Sequence, residues 1–149
     1  MKKYLFVLSV MLFFIFTSFS GCEKVSNELN NKIFPIVDIN NQYGCVINYV
    51  NMQTDSVYLI NSEEEFKKYN TCEGNPQIDF SLKTFLLAFG KTTSGISNIS
   101  KELSLKNNIY YLNVDIQLND ATVPQGWNIA VITDKIKSSH VILNVNQHF

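Results

Sequence analysis

From Tyr110 onward the chain alternates with a period of two. Tyr110, Leu112, Val114, Ile116 and Leu118 are interleaved with Tyr111, Asn113, Asp115, Gln117 and Asn119. Successive side chains of a strand point to opposite faces, so this pattern predicts a strand with one buried face and one wet face. Just upstream, Asn107-Asn108 tolerates the positive φ of a tight turn. Residues 97–106 are therefore expected to pair antiparallel with residues 109–118.

A different pattern marks "TFLLAF" (Thr84–Phe89), which has no polar alternation and predicts a central strand covered on both sides. "WNIAVIT" (Trp127–Thr133) reads as a second buried strand, and "HVILNVNQ" as the last one. Shorter β-branched and aromatic runs, "CVINYV" and "SVYLI", are joined by the turn-like "NMQTD". Ile33–Val37 reads as a first edge strand or a packed arm, and Pro35 favours an edge because it cannot donate to a ladder.

One helix stands out. In "NSEEEFKKY", Ser62 and Glu65 form an S-x-x-E capping box, in which the hydroxyl and the carboxylate each satisfy a free amide. Three acids open the helix and Lys67-Lys68 close it, both favourable to its dipole. Phe66 and Tyr69 are expected to face the core with Leu59, and Ile60 to staple the helix entry. Gly74 and Pro76 end the segment, and Phe80 is expected to plug into the core from a turn. About seven strands with short links and one helix predict a mainly β fold. Antiparallel sheets would pack sandwich-like, with the helix at the side.

The N-terminus changes the picture. Lys2-Lys3 precedes an apolar run from Leu5 to Phe16. That run is too short for the roughly 20 residues of a membrane-spanning helix, and it has the form of a secretory signal. It ends in "TSFSGC", which resembles the bacterial lipobox, with Phe19 where Leu is more usual. The resemblance implies cleavage after Gly21 and acylation of Cys22. Two or three acyl chains anchor stably, since each buried CH₂ contributes about 0.8 kcal/mol. The competing reading is an ordinary secreted protein with a chance cysteine. Glu23 stands where an inner-membrane retention aspartate would follow, which points to the outer membrane. The expected organisation is a signal peptide over 1–21, a tether and N-terminal arm over 22–41, and one β-rich domain over 42–149.

Cys45 and Cys72 remain in an oxidising compartment, so a disulfide is expected, with two buried free thiols as the alternative. The bridge would close a loop of about 27 residues, worth roughly 3–4 kcal/mol on the chain-entropy model. The formal net charge is −1 and the chain contains no arginine, which leaves no basic stripe for nucleic acid.

Candidate chemistry is sparse. "GKTTSG" ends like a phosphate loop, but Phe85 occupies the place of the upstream glycine and no helix pattern follows. The two histidines, His140 and His148, are not accompanied by a visible triad. Glu63-Glu64-Glu65 reads as a solvated first turn. Two lone cysteines without nearby histidines do not suggest a metal site. No catalytic residue, metal or cofactor is expected. The binding candidates are two aromatics. Trp127 is either a stacking platform or a core residue at the start of a strand, and Tyr111 lies outside the buried alternation.

Residues 57–147 carry "VYLINSEEEFKKY", "IDFSLKTFLLAFG", "SGISNISKEL", "NIYYLNVDIQL" and "GWNIAVITDKI" in that order. This succession resembles a domain of small lipoproteins of the Bacteroidetes. It is also similar to the C-terminal domain of PrcB, a protease-complex-associated lipoprotein of spirochaetes. The chain has Thr133-Asp134-Lys135 where that domain carries T-x-P. The resemblance implies a β-rich module without catalytic residues, tethered in the envelope and binding protein. The expectation is thus a lipid-anchored, non-enzymatic envelope protein with a protein partner. A glycan- or small-ligand-binding module is the alternative.

Overall fold

The structure, a computed structural model, describes residues 31–48, 52–74 and 76–149. The expected leader, the lipidation site Cys22 and nearly all of the tether lie outside the described residues. The order of elements is β1 (Lys32–Phe34), β2 (Ile36–Asp38), α1 (Asn40–Tyr43), β3 (Cys45–Ile47), β4 (Val57–Ile60), α2 (Glu63–Tyr69), β5 (Asn70–Cys72), β6 (Lys83–Lys91), β7 (Ile96–Lys106), β8 (Ile109–Leu118), β9 (Gly126–Asp134) and β10 (Val141–His148).

Two four-stranded sheets stack as a sandwich, one ordered β1-β7-β8-β10 and the other β2-β9-β6-β4. Between them lie Leu103, Leu112, Val114, Ile116 and Leu118 from the first sheet and Leu86, Ala88, Ile129 and Val131 from the second. The second sheet is also covered on its outer face. Phe85, Leu87 and Ala130 point there and pack with Ile39, Ile47, Ile60 and Phe66. The unbroken apolar run of β6 is thus explained: Phe85 and Leu86 are each fully buried, but against opposite layers. Among the described residues the first sheet has no such cover, and β8 keeps its strict alternation. We call the two the open sheet and the covered sheet.

The hairpin of β7 and β8 has the expected antiparallel register, Lys106 facing Ile109 and Leu103 facing Leu112. Asn107 and Asn108 take the positive φ values, 52° and 63°, that its turn requires. Helix α2 is capped as its sequence demands: the Glu65 N–H donates to Ser62 Oγ at 3.2 Å, and the Asn61 N–H donates to Glu65 Oε2 at 3.2 Å. Phe66 packs edge-on against Phe85 with ring centroids 5.1 Å apart. Phe80, delivered by a turn in which Leu82 N–H donates to Asp79 O at 3.0 Å, packs tilted against Phe66 with ring centroids 6.1 Å apart. Strands β3 and β5 form a small ribbon beside the helix, and their register places Cys45 opposite Cys72. The two sulfurs are bonded.

Three features depart from the sequence expectation. The N-terminal arm is two strands rather than one: β1 pairs with β7 in the open sheet and β2 with β9 in the covered sheet. Pro35, which has no N–H to give to either ladder, sits at the crossing, and Thr133 Oγ1 donates to its carbonyl at 3.0 Å. The strand count is ten among the described residues, because three-residue strands such as β1 and β5 are too short to show a period. Finally, β10 runs parallel to β8, so the open sheet is mixed. The chain leaves that sheet after β8, forms β9 in the other layer and returns. Among the described residues no helix is long and apolar enough to cross a membrane.

Candidate functional site

The open sheet turns one face away from the core, and the register fixes what that face presents. Ile33 of β1 lies opposite Ser104 of β7, Ser104 opposite Tyr111 of β8, and Tyr111 opposite Ile142 of β10. The four make one transverse row. Ile33 is 61 % exposed and Ile142 42 %, on either side of a half-buried Tyr111. Ile109, also exposed, shares the face two residues before Tyr111. Apolar side chains therefore collect at the end of the sheet that carries the β7–β8 turn.

The rest of that face is polar. The next row is Glu102, Asn113 and Asn144, and the one after is Ser100, Asp115 and Asn146. Asn144 Nδ2 donates to Asn113 Oδ1 at 3.0 Å, and Asn146 Nδ2 donates to Asp115 Oδ1 at 2.6 Å. His148 Nδ1 lies 3.7 Å from the same Asp115 oxygen. These cross-strand bonds hold the amides in a ladder along β8 and β10. A depression of about 520 Å³ spans the boundary between the two zones, lined by Tyr111, Asn31, Glu102, Asn113 and Asn144 among others.

The structure brings Tyr111 to this face and places Trp127 in the core, the other role its sequence position allows. The indole is only 3 % exposed and lies between the sheets. Gly90 is its register partner on β6. A Cβ on Gly90 would sit 2.6 Å from Trp127 Cζ2 and 2.6 Å from Asp55 Oδ1, so the missing side chain makes the space the indole fills. Trp127 was ambiguous in the sequence because the residue that accommodates it belongs to another strand.

The other sequence candidates are local features. His140 Nδ1 lies 3.1 Å from Ser139 Oγ, but the two are sequence neighbours on the surface rather than a nucleophile and base brought together across the fold. "GKTTSG" links β6 to β7, and Thr92 Oγ1 donates to Ser94 O at 2.5 Å within it. Lys67 pairs with Glu63 at 2.5 Å across one helical turn, and both are exposed. Two carboxyls are held below the ordinary range. Asp79 accepts from the hydroxyl and the amide of Ser81, and Asp134 accepts from Lys83 at 2.8 Å. Both lie on the surface at strand or turn ends. Among the described residues no group of three His, Cys, Asp or Glu side chains is placed to hold a metal ion.

A second cleft, of about 370 Å³, lies between α2 and residues 70–80, with Phe66, Phe80, Ile78 and Asn70 in its lining. Asn70 donates to Phe66 O at 3.2 Å, and its Oδ1 is buried without a hydrogen-bond partner among the described residues. Sequence reasoning missed Asn70, since nothing in "KYNTC" sets this Asn apart. It also missed Ile33 and Ile142, which become a patch only once register places them beside Tyr111.

Comparison with protein-family models, with curated proteins and with solved structures finds no match.

Proposed function

We propose that this is a lipid-anchored, non-enzymatic protein of the bacterial cell envelope, held at the outer membrane through Cys22. It binds a protein partner across the apolar end of the open sheet. The observation that carries this reading is the transverse row Ile33–Ser104–Tyr111–Ile142, in which two exposed isoleucines lie either side of a half-buried tyrosine on an otherwise polar face. Exposed apolar clusters rimmed by polar groups mark interaction sites, and tyrosine is among the residues that dominate binding energy. The resemblance of residues 57–147 to the PrcB domain supports an accessory role beside a protease complex.

Two experiments test it. Metabolic labelling with palmitate should mark the wild type and not Cys22→Ser; equal labelling of both removes the anchor. Crosslinking in intact membranes should capture a discrete partner with the wild type and lose it with Tyr111→Lys and Ile142→Lys. Recovery of the same proteins by all three chains removes the binding face.

A second reading is favoured by the depression around Tyr111. An aromatic ring beside Asn31, Asn113 and Asn144 supplies a stacking face and amide hydrogen-bonding groups, a combination suited to a glycan. A thermal shift with a glycan panel, lost in Tyr111→Ala, would select this reading. No shift with any member would dispose of it.

A further inference from the structure

We propose that β10 is a self-association edge: two copies of the chain pair antiparallel through it across a two-fold axis, joining their open sheets into one continuous sheet of eight strands. This goes beyond the partner-binding reading and does not depend on it.

The four sheet edges are unequal. β1 and β2 offer three residues each and β4 four, whereas β10 offers eight. Its register with β8 runs unbroken from Val141 to His148, so no bulge twists it away. It contains no proline, lysine or acidic residue. Short length, bulges, prolines and charges are the devices by which natural edges avoid pairing, and β10 has none of them. Among the described residues no strand is hydrogen-bonded to its outer side, although β4 of the covered sheet comes close to it. The side chains facing the core here are Val141, Leu143 and Val145, all only partly buried. Across the seam, Val57 and Leu59 of β4 are partly buried too. The Gln147 side chain reaches over to the covered sheet, donating to Lys91 O at 3.4 Å.

A strand that completes this edge needs apolar side chains toward the seam and neutral amides toward the open face, where they would extend the Asn113–Asn144 and Asp115–Asn146 ladder. β10 itself has that pattern. In an antiparallel pair centred on Asn144, each Leu143 falls beside the partner's Val145, Asn144 meets Asn144, and each Asn146 falls beside the partner's Ile142. The ionisable residue, His148, lies at one end and in this register falls beside the partner's His140, just ahead of the strand. Backbone hydrogen bonds would supply the affinity and the alternating side chains the register. A two-fold, self-complementary interface is the commonest form of homo-oligomer.

Sedimentation of the full chain in detergent tests this. The wild type should run as a dimer, and Asn144→Lys/Asn146→Lys should halve its mass. Mixing that variant with Asn144→Glu should restore a dimer, since opposite charges then meet. Asn98→Lys, on the same face but on β7, should leave the dimer intact. A monomeric wild type overturns the proposal, as does a dimer that survives the paired lysines. If the lysine variant fails to fold, Asn144→Cys decides: a crosslinked dimer under oxidising conditions supports the pairing, and a monomer overturns it. Tyr111→Lys, on β8 and away from the edge, should lose partner capture while the dimer persists, so failure of the dimer and failure of the partner-binding reading remain distinguishable.

Discussion

The two sheets of the sandwich have four strands each, yet they bury side chains differently. The covered sheet is packed on both faces, so β6 and β9 can carry apolar residues at consecutive positions. The open sheet is packed on one, so β8 must alternate. The difference shows what a hydrophobic pattern encodes: it counts the layers around a strand. It also divides labour. The covered sheet supplies stability, with α2 and the disulfide ribbon as its outer wall. The open sheet, freed of that role on one side, is where a half-buried tyrosine can be kept at little cost.

The sharpest break of this comparison is a pair of truncations. Phe85→Ala should cost about 3–5 kcal/mol, because it empties the layer beneath α2. Tyr111→Ala should stay within about 0.5 kcal/mol. Urea unfolding measures both, and equal costs would mean the two faces are not different. Next comes the ribbon. Replacing Cys45 and Cys72 by serine should remove roughly 3–4 kcal/mol and leave the β7–β8 hairpin the better protected in hydrogen exchange. Smaller again is Gly90→Ala, which forces a methyl into the indole of Trp127 and Asp55 and should cost about 1–3 kcal/mol. A tryptophan emission spectrum unchanged from the wild type would show that the ring had not been tightly seated.

The smallest effect concerns Asp134, whose hydrogen bond to Lys83 joins the ends of β9 and β6. Its folded carboxyl is held below the ordinary range, first by that bond and then by the same lysine's charge. The pair therefore stabilises the fold at pH values above the ordinary carboxylate range, and the contribution is lost as pH falls through the folded value. Asp134→Asn should be slightly less stable than the wild type at neutral pH and converge with it in acid. A gap that persists in acid would assign the effect to something other than the ionised pair.

Much of this was legible in the chain. The period of two in β8, the unbroken run of β6 and the Ser62–Glu65 box each determine a local structure from residues a few positions apart. What escaped depends on partners distant in sequence. Alternation in β10 gives a strand but no direction, so its parallel pairing was invisible. Ile33 and Ile142 read as ordinary strand residues until register set them beside Tyr111. Trp127 could be assigned to the core only through Gly90. The split of the arm at Pro35 was foreshadowed by the proline alone, since three residues carry no period.

That split also governs how the molecule would bear a load. Tension drawn along the chain ahead of Lys32 meets β1 first, and β1 is fastened by only three positions on β7. It would peel away with Phe34, while β2 beyond the proline still gripped the covered sheet. The sandwich would thus yield in two steps, with the face that carries Tyr111 deforming before the double-sided core felt any strain.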